Sequence, residues 1–281
     1  MPEPVTHAHP QVPEYSAGLF SGTVEYYERY RPRYPSVLVE RLLERIDVQP
    51  GDALLDLACG TGEVSFALVD VFTRIVAVDA EPDMVEAGRR RSAEMGIDSI
   101  RWEVGRAEDL LFDDGSFGVV ATGRAFHRLN RPLVATRALG WLRSEGAFVD
   151  MGIDTSGFSR PSEPWLKVAA EVYERWLPRS TRPKEDKSSG ANAEQRHATT
   201  EEVLRDTGFL DVEKVEMEVE HHWTVDGFVG YLYSTSYSSP EFWGEQREGF
   251  EQDLRAALLE SDPSGQLREA LSAYFVVGRA P

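Results

Sequence analysis

Short apolar runs recur along the first half of the chain, separated by segments of helical spacing. That alternation restricts the fold more than any other feature. Residues 53–57 form such a run, and so do 75–78, 100–104, 117–122 and 147–151. Each is too short for a helix and nearly free of polar positions, as a strand covered on both faces is. Residues 63–71, 84–94 behind Pro82, and 132–142 read as helices. Strands alternating with helices build a parallel sheet, and right-handed crossovers place helices on both of its faces. The expectation is a doubly wound α/β sheet.

The flanks follow other patterns. Residues 1–19 carry Pro2, Pro4, Pro10 and Pro13 and read as a flexible tail in which His7 and His9 are solvated. The remaining 20–281 form a single domain. Within 20–46, Pro32 and Pro35 divide an apolar helical pattern into two helices. After Met151 come a helix at 164–176, a polar loop at 178–198, and a capping box at Thr199–Glu202 that opens a helix stopped by Gly208. Val215, Met217 and Val219 alternate with Glu216, Glu218 and Glu220, the pattern of a half-buried strand. Residues 226–232 and 242–259 read as helices and 273–279 as a last strand.

Charge narrows the class of partner. Thirty basic against 48 acidic residues give a net charge of −18, which repels a nucleic-acid backbone and an anionic membrane surface. The single cysteine, Cys59, excludes an internal disulfide and a cysteine-rich metal centre, and no metal site is expected. No apolar run approaches the roughly 18 residues of a membrane span, and the start lacks the charged and apolar regions of a signal peptide. A cytoplasmic location is the expectation. The 26 Arg against 4 Lys suggest GC-rich bacterial coding.

Open α/β sheets bind ligands beyond the carboxyl ends of their strands. The first strand ends in Asp56-Leu57-Ala58-Cys59-Gly60-Thr61-Gly62, with a helix directly after. Glycines there let a ligand approach the backbone. The second strand ends in Asp79, placed to accept both hydroxyls of a ribose. A dinucleotide turn would want a third glycine where Ser65 stands, and Glu63 disfavours a pyrophosphate. A P-loop lysine is absent. A ribose ligand with a positive centre suits Asp56 and Glu63 better.

The 56–62 segment resembles the first motif of the class I S-adenosylmethionine-dependent methyltransferases. The resemblance extends to Ala77-Val78-Asp79, to Gly105–Leu110 and to Thr122–His127. Tyr26–Pro35 resembles an N-terminal lid motif of the small-molecule subgroup. The resemblance implies a Rossmann-like seven-stranded sheet, mostly parallel with an antiparallel last strand. It also implies lid helices at 20–46 and a helical cap from 153–200 and 226–262. The cofactor would be S-adenosyl-L-methionine. Gly60 and Gly62 would lie against its methionine portion, Asp56 would face its ammonium, and Arg31 would take its carboxylate. Asp79 would hold the ribose and Met84 the adenine face, with Ala107 and Glu108 at the adenine amino group. Gly123 would allow close approach near the sulfonium, and Tyr26 would close over the methyl. Ala58, Thr61 and Ala80 complete the set.

The implied reaction is methyl transfer to a small organic acceptor, such as a secondary metabolite of natural-product biosynthesis. His127, after the fourth strand, is the general-base candidate, with His197 a second. Trp165, Tyr173, Trp176, Tyr231 and Tyr237 form a candidate aromatic acceptor pocket, the alternative being the packed core of the cap. The resemblance also admits a relative that binds the cofactor yet catalyses another reaction, such as a cyclisation, or a non-catalytic scaffold. Three positions depart from the family pattern: Gly118 replaces an acid, Ser144-Glu145-Gly146 replaces Pro-Gly-Gly, and Arg128 replaces an aromatic residue. They bear on the acceptor. The sequence leaves the oligomeric state undecided.

Overall fold

A computed structural model of the protein describes residues 22–155, 158, 161–177 and 198–281. The proline-rich tail, with His7 and His9, and His197 in the polar loop lie outside the described residues. Seven strands run in chain order as β1 Ala53–Leu57, β2 Arg74–Asp79, β3 Ile100–Val104, β4 Phe117–Gly123, β5 Leu142–Asp154, β6 Leu210–Thr224 and β7 Gln266–Arg279. The helices are α1 Val24–Tyr30, α2 Ser36–Leu43, α3 Glu63–Ala67, α4 Pro82–Met95, α5 Arg131–Trp141, α6 Pro164–Trp176, α7 Thr200–Thr207, α8 Val225–Tyr233, α9 Pro240–Trp243 and α10 Arg247–Ser261.

The strands form one sheet in the order β3-β2-β1-β4-β5-β7-β6. Pairs among β1 to β5 are parallel, and β7 runs antiparallel to both β5 and β6. This is the doubly wound, mostly parallel sheet with a reversed last strand that the sequence implied. From β1 the chain builds outward to β2 and β3, then returns to place β4 and β5 on the other side. The crevice at that reversal, beyond the carboxyl ends of β1 and β4, is where such sheets bind ligands.

Period-two alternation sorts the strand side chains onto two faces. Leu54, Ile75, Ala77, Val119, Ala121 and Val149 pack with Leu38 and Leu42 of α2 and Val85 of α4. Leu55, Leu57, Val76, Val78, Val120 and Phe148 pack with Val134, Ala135 and Ala138 of α5 and with Leu204 of α7. All five residues of β1 are buried, so its apolar run had no solvent face to signal. The predicted capping box is present: Thr199 accepts the Glu202 amide at 3.1 Å, and Glu202 accepts the Thr199 amide at 2.7 Å.

Several boundaries differ from the sequence reading. The helix expected over 63–71 ends at Ala67. The helix expected over 242–259 is two, because Gly244 turns the backbone to φ 51° between α9 and α10. Strands β6 and β7 run well beyond their apolar cores, since each pairs along nearly its whole length with the other. That ribbon carries Trp223 and Leu267 out to a third core, where they meet Trp165 and Leu166 of α6, Phe228 of α8, Trp243 of α9 and Phe250 of α10. One departure from the family pattern finds its reason here. A side chain at Gly118 would collide with the Asp52 carboxylate, which pairs with Arg143 at the start of β5 at 2.9 Å.

Candidate active site

The turn after β1 is held in left-handed backbone at Ala58, Gly60 and Gly62, with φ of 50°, 56° and 90°. Its position is fixed from β2. The Asp79 carboxylate accepts the Gly60 amide at 2.7 Å on one oxygen and the Glu81 amide at 2.9 Å on the other. The amide of Cys59 donates to the Val78 carbonyl at 3.0 Å. Each Asp79 oxygen keeps a second lone pair for a ligand. Burial raises its pKa, and the amides oppose that rise. The two glycines act differently. A side chain at Gly60 would meet nothing closer than the Tyr27 ring at 3.8 Å, whereas one at Gly62 would collide with the Trp102 indole. Gly60 leaves space for a ligand, and Gly62 leaves space for a core side chain.

Above this turn opens a cleft of about 750 Å³, part of it exposed to solvent. Ala58, Gly60, Asp79, Ala80, Met84, Ala107, Glu108 and Gly123 line it. Eight of the thirteen expected cofactor residues thus meet at one cavity. Asp56 and Thr61 sit behind it, wholly buried. Asp56 accepts the Ser65 amide and hydroxyl at 3.0 and 2.7 Å through one oxygen. Its other oxygen, and the Thr61 hydroxyl, are buried without a hydrogen-bond partner. Desolvation raises the Asp56 pKa to about 7, opposed by the Ser65 bonds and aided by the Asp79 and Glu63 charges. An orphaned acidic oxygen behind an open glycine turn fits a ligand with a cationic centre, and Asp79 fits a vicinal diol.

The expected lid and catalytic side chains are placed otherwise. Tyr27, not Tyr26, lines the cleft. Tyr26 turns toward the cap, where its hydroxyl accepts from Arg247 at 2.8 Å and its ring meets Tyr233 edge-on. Neighbours on a helix point about 100° apart, so the motif alone could not choose between them. His127 is exposed and does not line the cleft. The 3-10 turn at 126–128 buries Phe126, points His127 outward and sends Arg128 inward. Desolvation, with the Arg128 and Arg131 charges, holds the His127 pKa down to about 4. A histidine turned away from the cleft is ill-placed to deprotonate an acceptor bound there.

The aromatic acceptor pocket resolves mostly into cap core. Trp165 donates to the Arg268 carbonyl at 2.7 Å and packs on Phe228. Trp176 donates to Asp253 at 2.9 Å. Tyr173 lies against Trp243 and Phe250 and donates to the Tyr237 carbonyl at 2.8 Å. None of the three lines the cleft. Tyr231 lies under the Arg31 guanidinium at 5.3 Å, and Tyr237 remains 42% exposed.

The inner end of the site is built from arginines, only one of which the sequence reading singled out. Arg31, just beyond the lining, stands 4.9 Å over the Tyr27 ring and donates to the Ser234 carbonyl at 3.0 Å. Arg124 lines the cleft, with its guanidinium 6.0 Å from the Tyr27 ring and 5.5 Å from that of Tyr34. Arg128 lines it too and donates to the Ser236 hydroxyl at 3.3 Å. Desolvation and the Arg31 charge press the Arg128 pKa down. In the sequence Arg128 stands out only as an arginine in the place of an aromatic residue.

Residues 54–146 match the family model described as a methyltransferase domain. A nocamycin O-methyltransferase of Saccharothrix syringae is 28% identical over 260 residues, covering 86% of this chain and 85% of its own. An uncharacterized methyltransferase of Schizosaccharomyces pombe, C70.08c, is 35% identical over 156 residues, and the chain covers 54% of its length. A proposed type II methyltransferase of Anaeromyxobacter dehalogenans superposes with a TM-score of 0.58 at 19% identity, covering 89% of this chain and 97% of its own. That likeness shows a shared fold. With its sheet order, its glycine turn fastened to an acidic strand end and a methyltransferase domain matched over residues 54–146, this chain is similar to the class I S-adenosylmethionine-dependent methyltransferases.

Proposed function

We propose that the protein methylates a small organic acceptor, of the kind found in natural-product biosynthesis, bound under the helical cap. The observation that carries this reading is the continuity of one cleft from Asp79 to the arginines beneath α1. Cofactor and acceptor can meet there. In this reading Asp79 accepts both ribose hydroxyls. Met84 packs on the adenine, and Ala107 and Glu108 border its amino edge. Gly60 passes close to the methionine portion, and Arg31 takes its carboxylate. S-adenosylmethionine supplies an electrophilic methyl whose carbon–sulfur bond breaks, leaving its electrons on sulfur, as the acceptor's lone pair bonds to carbon. The protein's share is alignment and exclusion of water. Tyr27 would roof the reacting end in place of Tyr26.

The net charge of −18 supports a small acceptor over RNA. The nocamycin O-methyltransferase, matched over most of both chains, supports the same choice. The test is calorimetry of S-adenosylmethionine and S-adenosylhomocysteine on wild type, Asp79→Ala and Gly60→Val, followed by an acceptor screen with labelled methyl donor. Micromolar or tighter binding, lost in both variants, is expected. A folded wild type that binds neither ligand would overturn the reading.

A further inference from the structure

We infer that the acceptor binds as an anion, with Arg124, supported by Arg128, forming the subsite for its carboxylate or phosphate group. The inference rests on the methyl-transfer reading and adds the chemical class of the acceptor.

The first observation is unpartnered charge. The Nε and Nη2 atoms of Arg124 are buried and have no hydrogen-bond partner among the described residues, and neither has Nε of Arg31. A buried guanidinium without an anion is costly, and pairing it with one recovers much of that cost. Two of the acids nearby, Glu63 and Asp150, are held by other partners. Glu63 is paired with Arg91 at 2.7 Å. Asp150 accepts from Thr122 at 2.8 Å and from Thr200 at 3.1 Å. What faces Arg124 is aromatic: the Tyr27 and Tyr34 rings, which attract a cation weakly and cannot neutralise it.

The second observation is backbone geometry. Arg124 holds a left-handed φ of 56° directly after Gly123. A side chain other than glycine rarely adopts that conformation, and here the amide is anchored to the Met151 carbonyl at 2.8 Å. That conformation turns the residue at the end of β4 into the cleft, where it lines the wall beside Gly123. After Ala125, Arg128 adds a second guanidinium to the cleft lining.

S-adenosylmethionine carries a sulfonium and an ammonium against one carboxylate. The acids lining the cleft, Asp79, Glu81 and Glu108, lie at and beyond the ends of β2 and β3, whereas Arg124 and Arg128 line it beyond β4. The cofactor's single carboxylate falls to Arg31. A neutral acceptor would leave Arg124 unneutralised beside a sulfonium, whereas an anionic one balances both. Guanidinium neighbours also favour the ionised form of an acidic acceptor. The cleft then needs no histidine base, in keeping with the outward placing of His127.

The test uses the full chain loaded with S-adenosylhomocysteine. Its thermal midpoint is followed at constant ionic strength with benzoate, phenyl phosphate and neutral benzamide, in wild type, Arg124→Met, Arg124→Lys and Arg128→Met. Benzoate or phenyl phosphate should raise the wild-type midpoint while benzamide does not, and the stronger of the two identifies the group. The rise should vanish in Arg124→Met, persist in part in Arg124→Lys and shrink in Arg128→Met. S-adenosylhomocysteine affinity should stay within about threefold in Arg124→Met, and the ligand-free Arg124→Met protein should melt above wild type.

The inference is overturned if neither anion stabilises, if benzamide matches them, or if Arg124→Met still responds. It is also overturned if that variant melts lower without ligand, or if it loses about tenfold or more in S-adenosylhomocysteine affinity. The last result would place Arg124 on the cofactor carboxylate. Failure of wild type to bind S-adenosylhomocysteine at all is a separate result, which removes the methyl-transfer reading and this inference with it.

Discussion

The Asp79 carboxylate accepts the Gly60 amide at 2.7 Å, which locks the acidic end of β2 to the glycine turn after β1. With the Glu81 amide on its other oxygen, Asp79 is at once a structural clamp and a ligand-facing acceptor. Asp79→Asn keeps the volume but turns an NH2 group toward one of those amides. S-adenosylhomocysteine affinity should fall by at least about tenfold and folding stability by roughly 1–3 kcal/mol. Calorimetry and urea denaturation measure the two separately. Unchanged affinity would leave Asp79 a clamp alone.

Trp102 imposes glycine at two places. A side chain at Gly62 or at Gly88 would collide with its indole, which is fixed by a 3.1 Å bond to Ser92. Gly88 lies inside α4, where alanine ordinarily stabilises by about 1 kcal/mol. Gly88→Ala should therefore destabilise the wild type and stabilise a Trp102→Leu background. A double-mutant cycle in urea reads that reversal of sign, and the same sign in both backgrounds would refute the packing argument.

Asp150 gives the protein a pH dependence. Desolvation, opposed by bonds from Thr122 and Thr200, raises its pKa to about 6. The folded state therefore holds a proton that the unfolded chain has released, and stability from this group is full below about pH 4. It is lost as pH rises through 6, the loss reaching roughly 3 kcal/mol. Asp150→Asn should flatten the thermal midpoint between about pH 4 and 6 and exceed wild type above that range. A profile parallel to wild type would show that Asp150 ionises normally.

Adjacent tyrosines on α1 should separate stability from function. Tyr26→Phe loses the 2.8 Å bond from Arg247 and should cost about 1 kcal/mol while leaving S-adenosylhomocysteine affinity intact. Tyr27→Ala removes a wall of the cleft and the ring shared by Arg31 and Arg124. It should lower that affinity by about tenfold or more. The reverse pattern would restore Tyr26 as the lid.

The strands, the sheet class, the glycine turn and the acid ending β2 were legible in the sequence because each depends on neighbours along the chain. A buried parallel strand is an unbroken apolar run, and a ligand turn shows its glycines. Eight expected cofactor residues meet at the cleft because they lie at the ends of elements whose order the alternation already implied. Which side chain of a short helix or turn faces inward was not legible. Seven residues of α1 and three of the 126–128 turn carry too little periodicity to separate Tyr26 from Tyr27, or His127 from Arg128.

The division between cap core and pocket was decided by tertiary structure as well. Trp165, Tyr173 and Trp176 show the same apolar spacing whether they line a pocket or fill a core. Their partners on α8, α9 and α10 are far away in sequence. The same holds for the arginines: Arg31 and Arg124 belong to distant segments, and only the folded chain brings both to the Tyr27 ring. Local pattern determined which elements form. Contacts between distant segments decided which way their side chains point, and so gathered charge inside a chain that is acidic overall.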